Sequence, residues 1–349
     1  MEKELATISR EKGEHTRTMF RSNDFPTIES SEREQFPGDV LCEIAFSDVH
    51  MHIENMPSRK WRVPEEKRTA DYLKKQNIVE AGVIFEKEIS VNALLEAIEE
   101  EEITCNILPF YFIHAPHVVD EKEFEGMYER GKIKGIKLHP VYDRYEVSYD
   151  NLEEVLKLSQ DYMGLPLLMH LDDRKDTMHL TSPEKLDAFI EEMLERDTVV
   201  PIILGHSGAY AHPRLVSYEE GTNPPVESYW KYFNEDSSPT YSRIYLIRHA
   251  LQLALEYPFI YLDTSSCVNK IKAKIVAEAV NAYPELSEKI LLGTDYPVLG
   301  QYREGQEGQR SFNPGTTVKA QLRSLWQQGL EEKHLLKIAS NRLESINRE

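Results

Sequence analysis

Asp48-Val49-His50-Met51-His52 ends an apolar run on two histidines, and three later stretches end in a similar way. Met169-His170 and Gly205-His206 keep a histidine at that place, and Gly293-Thr294-Asp295-Tyr296-Pro297 puts an aspartate there. The runs before them are rich in Val, Ile and Leu, as expected for strands buried on both faces. Strands that stop on metal-type ligands predict a ring of strand ends converging on one ion.

Working outward from these stretches, apolar strand candidates lie near 42–52, 78–86, 103–113, 133–139, 165–171, 199–206, 258–265 and 289–296. Amphipathic segments of helical spacing separate them. Leu94, Leu95 and Ile98 share one face, as do Leu152, Val155, Leu156 and Ser159, after Asp150 as the expected cap with Glu153 three residues on. Ser182-Pro183 opens another helix, with Leu186, Phe189, Ile190 and Met193 as its buried stripe. Ile271, Ile275 and Ala279 mark a further one, and Leu322, Leu325 and Trp326 precede a shorter helix around Leu335 and Ile338. Eight strand–helix units in 349 residues predict an α/β protein, a (β/α)8 TIM barrel. A doubly wound sheet is disfavoured because its glycine-rich phosphate turn is absent.

Residues 1–40 are polar and read as an N-terminal extension or arm, with 41–349 as the barrel. Two connections are unusually long: 207–240, which carries Pro213, Pro224, Pro225 and Pro239, and the stretch after the eighth strand to Gly315. Both follow strands that end on a candidate ligand, so lids over the same mouth are expected. Lys plus Arg total 41 against 60 Asp plus Glu, a formal charge of -19 that disfavours nucleic acid and anionic membranes. Cys42, Cys105 and Cys267 form no pairing motif and read as buried free thiols. With no apolar leader or membrane-length run, a cytoplasmic protein is expected, acting on a small molecule and compatible with a homo-oligomer.

Alternate residues of a strand share a face, so His50 and His52 can point inward together while Met51 points away. With His170, His206 and Asp295 they form a nitrogen and oxygen set suited to a catalytic zinc or similar divalent ion. Water bound there would lose its proton near pH ~7, with Asp295 to orient it and carry the proton. His114, His117, His179, His212, His249 and His334 read as hydrogen-bonded core or surface residues. In Gly135-Ile136-Lys137-Leu138-His139-Pro140, Lys137 and His139 face the same way. Lys137 either snorkels to the rim, binds a substrate carboxylate or oxyanion, or bridges two metals in carboxylated form.

These motifs together, with Leu204-Gly205-His206-Ser207-Gly208 and Ile338-Ala339-Ser340-Asn341-Arg342, resemble the amidohydrolase superfamily, most closely its amidohydrolase-related (amidohydrolase 2) branch. The resemblance spans roughly 42–346. It implies that His50, His52 and His170 bind the metal. Asp295 would be ligand and proton shuttle, and His206 a second ligand or a base. It favours one Zn2+ over a binuclear centre bridged by carboxylated Lys137. Lys137, His139, Arg144, Arg174 and Arg303 are the candidates for holding an anionic substrate.

The function implied is hydrolysis of a C–N or C–O bond in an amide, lactone, ester or cyclic imide. Non-oxidative decarboxylation is the alternative enzyme class, and a catalytically retired barrel serving as a structural or regulatory partner is the alternative of another kind. Phosphoesterase action on nucleic-acid ends is opposed by the charge.

Overall fold

A computed structural model describes residues 44–53, 65–116, 120–171, 177–209, 243–296 and 317–348, the single positions Pro37 and Leu41, and the pairs Arg303–Glu304 and Arg310–Ser311. The N-terminal arm expected over 1–40 and most of the 207–240 insert lie outside the described residues.

Eight parallel strands form one sheet in sequence order: β1 Phe46–His52, β2 Ile78–Phe85, β3 Asn106–Phe112, β4 Gly135–Leu138, β5 Leu167–Met169, β6 Ile202–Leu204, β7 Ile260–Asp263 and β8 Ile290–Leu291. Each falls inside its expected interval, but the later strands are much shorter. His170 lies one residue beyond β5, His206 two beyond β6 and Asp295 four beyond β8. The first and last strands are joined by the chain that follows β8. The Val49 and His52 amides donate to the Leu292 and Tyr296 carbonyls at 2.8 and 2.7 Å, and the Asp295 amide donates to the His50 carbonyl at 2.8 Å. The result is the (β/α)8 barrel.

Helices over Glu65–Gln76, Glu88–Glu100, Glu121–Glu129, Tyr149–Asp161, Pro183–Glu195, Arg243–Glu256, Lys270–Ala282, Val318–Gln327 and Glu332–Ser340 alternate with the strands or follow the last. Several carry a side-chain cap of the usual chemistry, whereas Ser182, ahead of Pro183, makes no side-chain cap bond. Asp120 accepts from the Lys122 and Glu123 amides at 3.1 Å, and Thr317 accepts from the Ala320 amide at 3.1 Å. One expected cap moves: Ser148, not Asp150, accepts from the Asn151 amide at 3.4 Å and starts the Tyr149–Asp161 helix. Asp150 sits in its first turn, where a negative charge suits the helix dipole. The stripes at Leu152, Val155, Leu156 and Ser159, and at Leu186, Phe189, Ile190 and Met193, are buried as their spacing requires.

Strand alternation sorts the core into two layers. Outward residues such as Met51, Val83, Ile136, Met169, Leu204 and Leu262 pack against the helices. Inward residues Val49, Ile84, Phe110, Leu168, Ile203 and Leu291 fill the barrel and meet Leu343 and Ile346 at its floor. Gly135 makes room for this filling, since a β-carbon there would lie 2.3 Å from the Phe110 ring. The floor is pinned by Asn341, whose side-chain amide donates to the Ser287 and Ile290 carbonyls at 2.7 Å. Glu80 accepts at 2.6 Å from both the Leu343 amide and the Ser47 hydroxyl. No helix among the described residues is long and apolar enough to cross a membrane.

Candidate metal centre

β1 does not alternate strictly. Asp48 pairs with Ala81 and Met51 with Val83, so one more residue lies between the two pairs on β1 than on β2. This bulge lets Val49 fill the inner layer while His50 and His52 still reach the mouth. It relies on Gly82, because a β-carbon there would sit 2.5 Å from the Val49 carbonyl oxygen. Asp48, which strict alternation would turn inward with the histidines, instead ties β1 to the last strand segment. It accepts from the Thr294 amide at 3.0 Å and the Thr294 hydroxyl at 2.6 Å. Burial pushes the Asp48 carboxyl up to about 7, partly offset by the Thr294 bonds.

The predicted ligands converge. One donor atom from each of His50, His206 and Asp295 lies within 4.8 Å of the others. The Asp295 carboxylate stands 3.1 Å from His52 Nε2 and 3.5 Å from His50 Nε2. His170 Nδ1 faces His206 Nε2 at 3.0 Å. Lys137 is fully buried, with Nζ 3.2 Å from His50 Nε2, so it does not snorkel to the rim. Burial pushes its ammonium down to about 8, while Asp295 and Asp263 pull the other way. His139 stacks on His170 with ring centroids 3.8 Å apart, and its Nδ1 accepts from the Tyr142 amide at 3.1 Å.

The remaining candidates stand apart. Arg144 caps a short helix over Pro140–Asp143 in the left-handed conformation. Arg174 lies outside the described residues, as do His117, His212 and Cys42; Arg303 is described only in its backbone, paired with Ser311. His114 pairs with Asp143 at 2.8 Å and His249 with Asp187 at 2.9 Å, both in line with a bonding role away from the centre. Of the thiols, Cys267 is buried and Cys105 only partly so.

Three residues that the sequence reading passed over support the cluster. Asp263 ends β7 and accepts from His50 Nδ1 at 2.8 Å and from the His206 amide at 3.0 Å. Ile260-Tyr261-Leu262-Asp263 is itself an apolar run ending on an aspartate, so the signal was present. Ser265 touches Asp263 and lies 2.8 Å from His206 Nδ1. Lys272, from the Lys270–Ala282 helix, donates to the His206 carbonyl at 2.5 Å and also to the Ala209 carbonyl. Its task follows from the backbone: His206, Ser207 and Gly208 have φ of 58°, 48° and 90°, three left-handed residues in succession. Gly208 adopts this conformation freely, but His206 and Ser207 cost about 1–3 kcal/mol each unless their surroundings hold them. The Lys272 ammonium and the Ser207 hydroxyl, which donates to the Asp263 carbonyl at 2.5 Å, hold this turn.

The donor set fits a divalent ion. Burial holds the His50, His170 and His206 imidazoles well below their ordinary range, reinforced by neighbouring histidines and Lys137, so each is neutral and offers a lone pair. His50 has Nδ1 committed to Asp263, which leaves Nε2 for the mouth.

No family model matches the chain, and neither does any curated protein. Among solved structures it is similar to a "probable 2-pyrone-4,6-dicarboxylic acid hydrolase" from Acinetobacter baumannii with citric acid bound. Identity is 12%, covering 85% of this chain and 96% of the other, with a TM-score of 0.51. A Pseudomonas putida protein described in similar terms aligns at 10% identity over 87% and 98%, TM-score 0.48. A D-hydantoinase (dihydropyrimidinase) from Thermus sp. aligns at 10% identity over 85% and 69%, TM-score 0.48. At these identities the likeness is one of fold, and that fold is the (β/α)8 barrel.

Proposed function

We propose that this chain is a metal-dependent hydrolase of the amidohydrolase type, cleaving a C–N or C–O bond in a small anionic substrate. The observation that carries the reading is the convergence of His50, His206 and Asp295 donors within 4.8 Å at the mouth of a (β/α)8 barrel. That is the end where such barrels do their chemistry. A protein described as a probable hydrolase shares the fold, which is compatible with this reading.

A Zn2+ held by His50, His52, His170, His206 and Asp295 would supply a Lewis acid and make water acidic enough to react near neutral pH. The chain's own groups then have distinct tasks. Asp295, whose carboxylate lies 3.1 Å from His52 Nε2, would accept the proton that the attacking water loses and deliver it to the leaving group. Lys137, buried and cationic, attracts a substrate carboxylate or developing oxyanion to the donor cluster. His139 lines that side behind His170, and Arg174 and Arg303 remain proposed outer contacts for the anion. The reading includes one Zn2+ per chain, a small-molecule substrate and a cytoplasmic location. It includes no nucleic-acid or membrane partner, which the charge of -19 supports.

The test is elemental analysis of the purified protein, followed by assay against lactones, cyclic imides and amides that bear a carboxylate. Stoichiometric zinc and turnover lost to chelator, then restored by Zn2+, are expected. A protein that binds no divalent ion would sink the proposal. The buried Lys137 ammonium would hold a reacting carboxylate equally well, so decarboxylation is the second reading; CO2 release without water uptake would select it.

A further inference from the structure

We propose that Ser265 is a positioning residue that fixes which nitrogen of His206 carries the proton. The argument starts at Asp263 Oδ1. Two main-chain donors point at this oxygen, the His206 amide at 3.0 Å and the Ser265 amide at 2.8 Å. Neither can accept, so Oδ1 is an acceptor. The Ser265 hydroxyl makes a close contact with the same oxygen and therefore gives its single proton to it. That leaves only lone pairs on Ser265 Oγ for its other close neighbour, His206 Nδ1 at 2.8 Å. His206 must donate there, from Nδ1–H, so its Nε2 is an unprotonated lone pair aimed at His170 Nδ1, 3.0 Å away.

The direction of donation runs from His206 through Ser265 to Asp263, and every group on it is buried. Asp263 thereby orders two histidines by different routes: His50 directly through Oδ2, and His206 through the serine. The sequence separates these groups by more than two hundred residues in one case and fewer than sixty in the other. This goes beyond the hydrolase reading, because it concerns the proton on His206 whatever reaction follows. It matters to that reading because only the Nδ1–H form leaves Nε2 able to hold a metal or take a proton.

The experiment is long-range 1H–15N NMR of the full-length, [15N]histidine-labelled protein after chelation, with His206 assigned by the spectrum of His206→Asn. The expected result is an Nδ1–H His206 that shifts towards Nε2–H in Ser265→Ala and returns in Ser265→Thr, which restores the hydroxyl. An Nε2–H His206 in the parent protein would overturn the proposal, as would a Ser265→Ala spectrum identical to the parent's. Zn2+ affinity by chelator competition gives a second readout. Ser265→Ala should weaken it by about 10–100-fold. Thr264→Val, which removes a neighbouring buried hydroxyl bonded to the Gly293 main chain, should leave it unchanged. Equal losses in both variants would mean that Ser265 serves only the fold. Protein that binds no zinc would count against the hydrolase reading alone, since the NMR result still decides the tautomer.

Discussion

The two ends of the barrel both bury polar side chains, and they do so to opposite effect. At the floor, Glu80 takes its donors from Ser47 and Leu343, and Asn341 gives its amide protons to Ser287 and Ile290. Those groups complete one another, and Leu343 and Ile346 close over them. At the mouth, Asp263 and Ser265 are satisfied in turn, but their bonds hold His50 and His206 with lone pairs facing inward. The floor spends its polar groups on closure, whereas the mouth uses them to aim other groups at a shared point. Buried polarity therefore marks function only where the satisfied residues leave a convergent set of lone pairs in front of them.

Substitutions at the two ends should separate in kind as well as size. His50→Ala or Asp295→Ala removes a member of the convergent set, so bound zinc should drop below stoichiometry. Turnover should fall more than ~100-fold, beyond the 10–100-fold caused by changes one step behind a ligand. The thermal midpoint should move little by comparison. Retained zinc in either variant would place the ion elsewhere. Leu343→Ala should do the reverse: a cavity in the floor costing about 2–5 kcal/mol in urea unfolding, with zinc content of the folded protein intact. Asn341→Ala should cost less, about 1–3 kcal/mol, because it strips donors from two buried carbonyls without opening a large void. Loss of metal in either floor variant would show that the ends are coupled.

The smallest effect expected is an inert pair of thiols. Burial pushes Cys105 up to about 12 and Cys267 up to about 11. Cys105 lies just before β3, towards the floor, and Cys267 behind the mouth beside Ser207. At pH 8 both should alkylate at least ~100-fold more slowly than a free cysteine, as read by peptide mass mapping. Fast labelling at one end alone would identify the end that opens.

The barrel was legible because its strands are buried on both faces and read as apolar runs, and because four of them run out onto a chemically costly residue. His50, His52, His170, His206 and Asp295 each followed such a run, and the structure places them together. The support behind them was harder to read. The β1 bulge depends on Gly82 approaching Val49, and nothing in the local spacing of Asp48-Val49-His50 announces it. Ser265 is one of several small polar residues in Asp263-Thr264-Ser265-Ser266, and only tertiary distance selects it. Lys272 looks from its sequence like a solvated helix lysine, yet it is buried against a left-handed turn that no propensity scale would place there. Asp263 is different: it ends the apolar run Ile260-Tyr261-Leu262 in the same way as the candidate ligands end theirs.

The join between the first strand and the segment after β8 carries a consequence for how the site comes into being. His50 and His52 enter the chain early, while Asp295 emerges from the ribosome more than two hundred residues later, on the segment whose amides and carbonyls zip against β1. Until that seam closes, the histidine pair lacks the Asp295 carboxylate that faces its Nε2 atoms. Completion of the proposed ion site is therefore a late event in the life of each molecule, and a chain halted before β8 would carry His50, His52, His170 and His206 without Asp295.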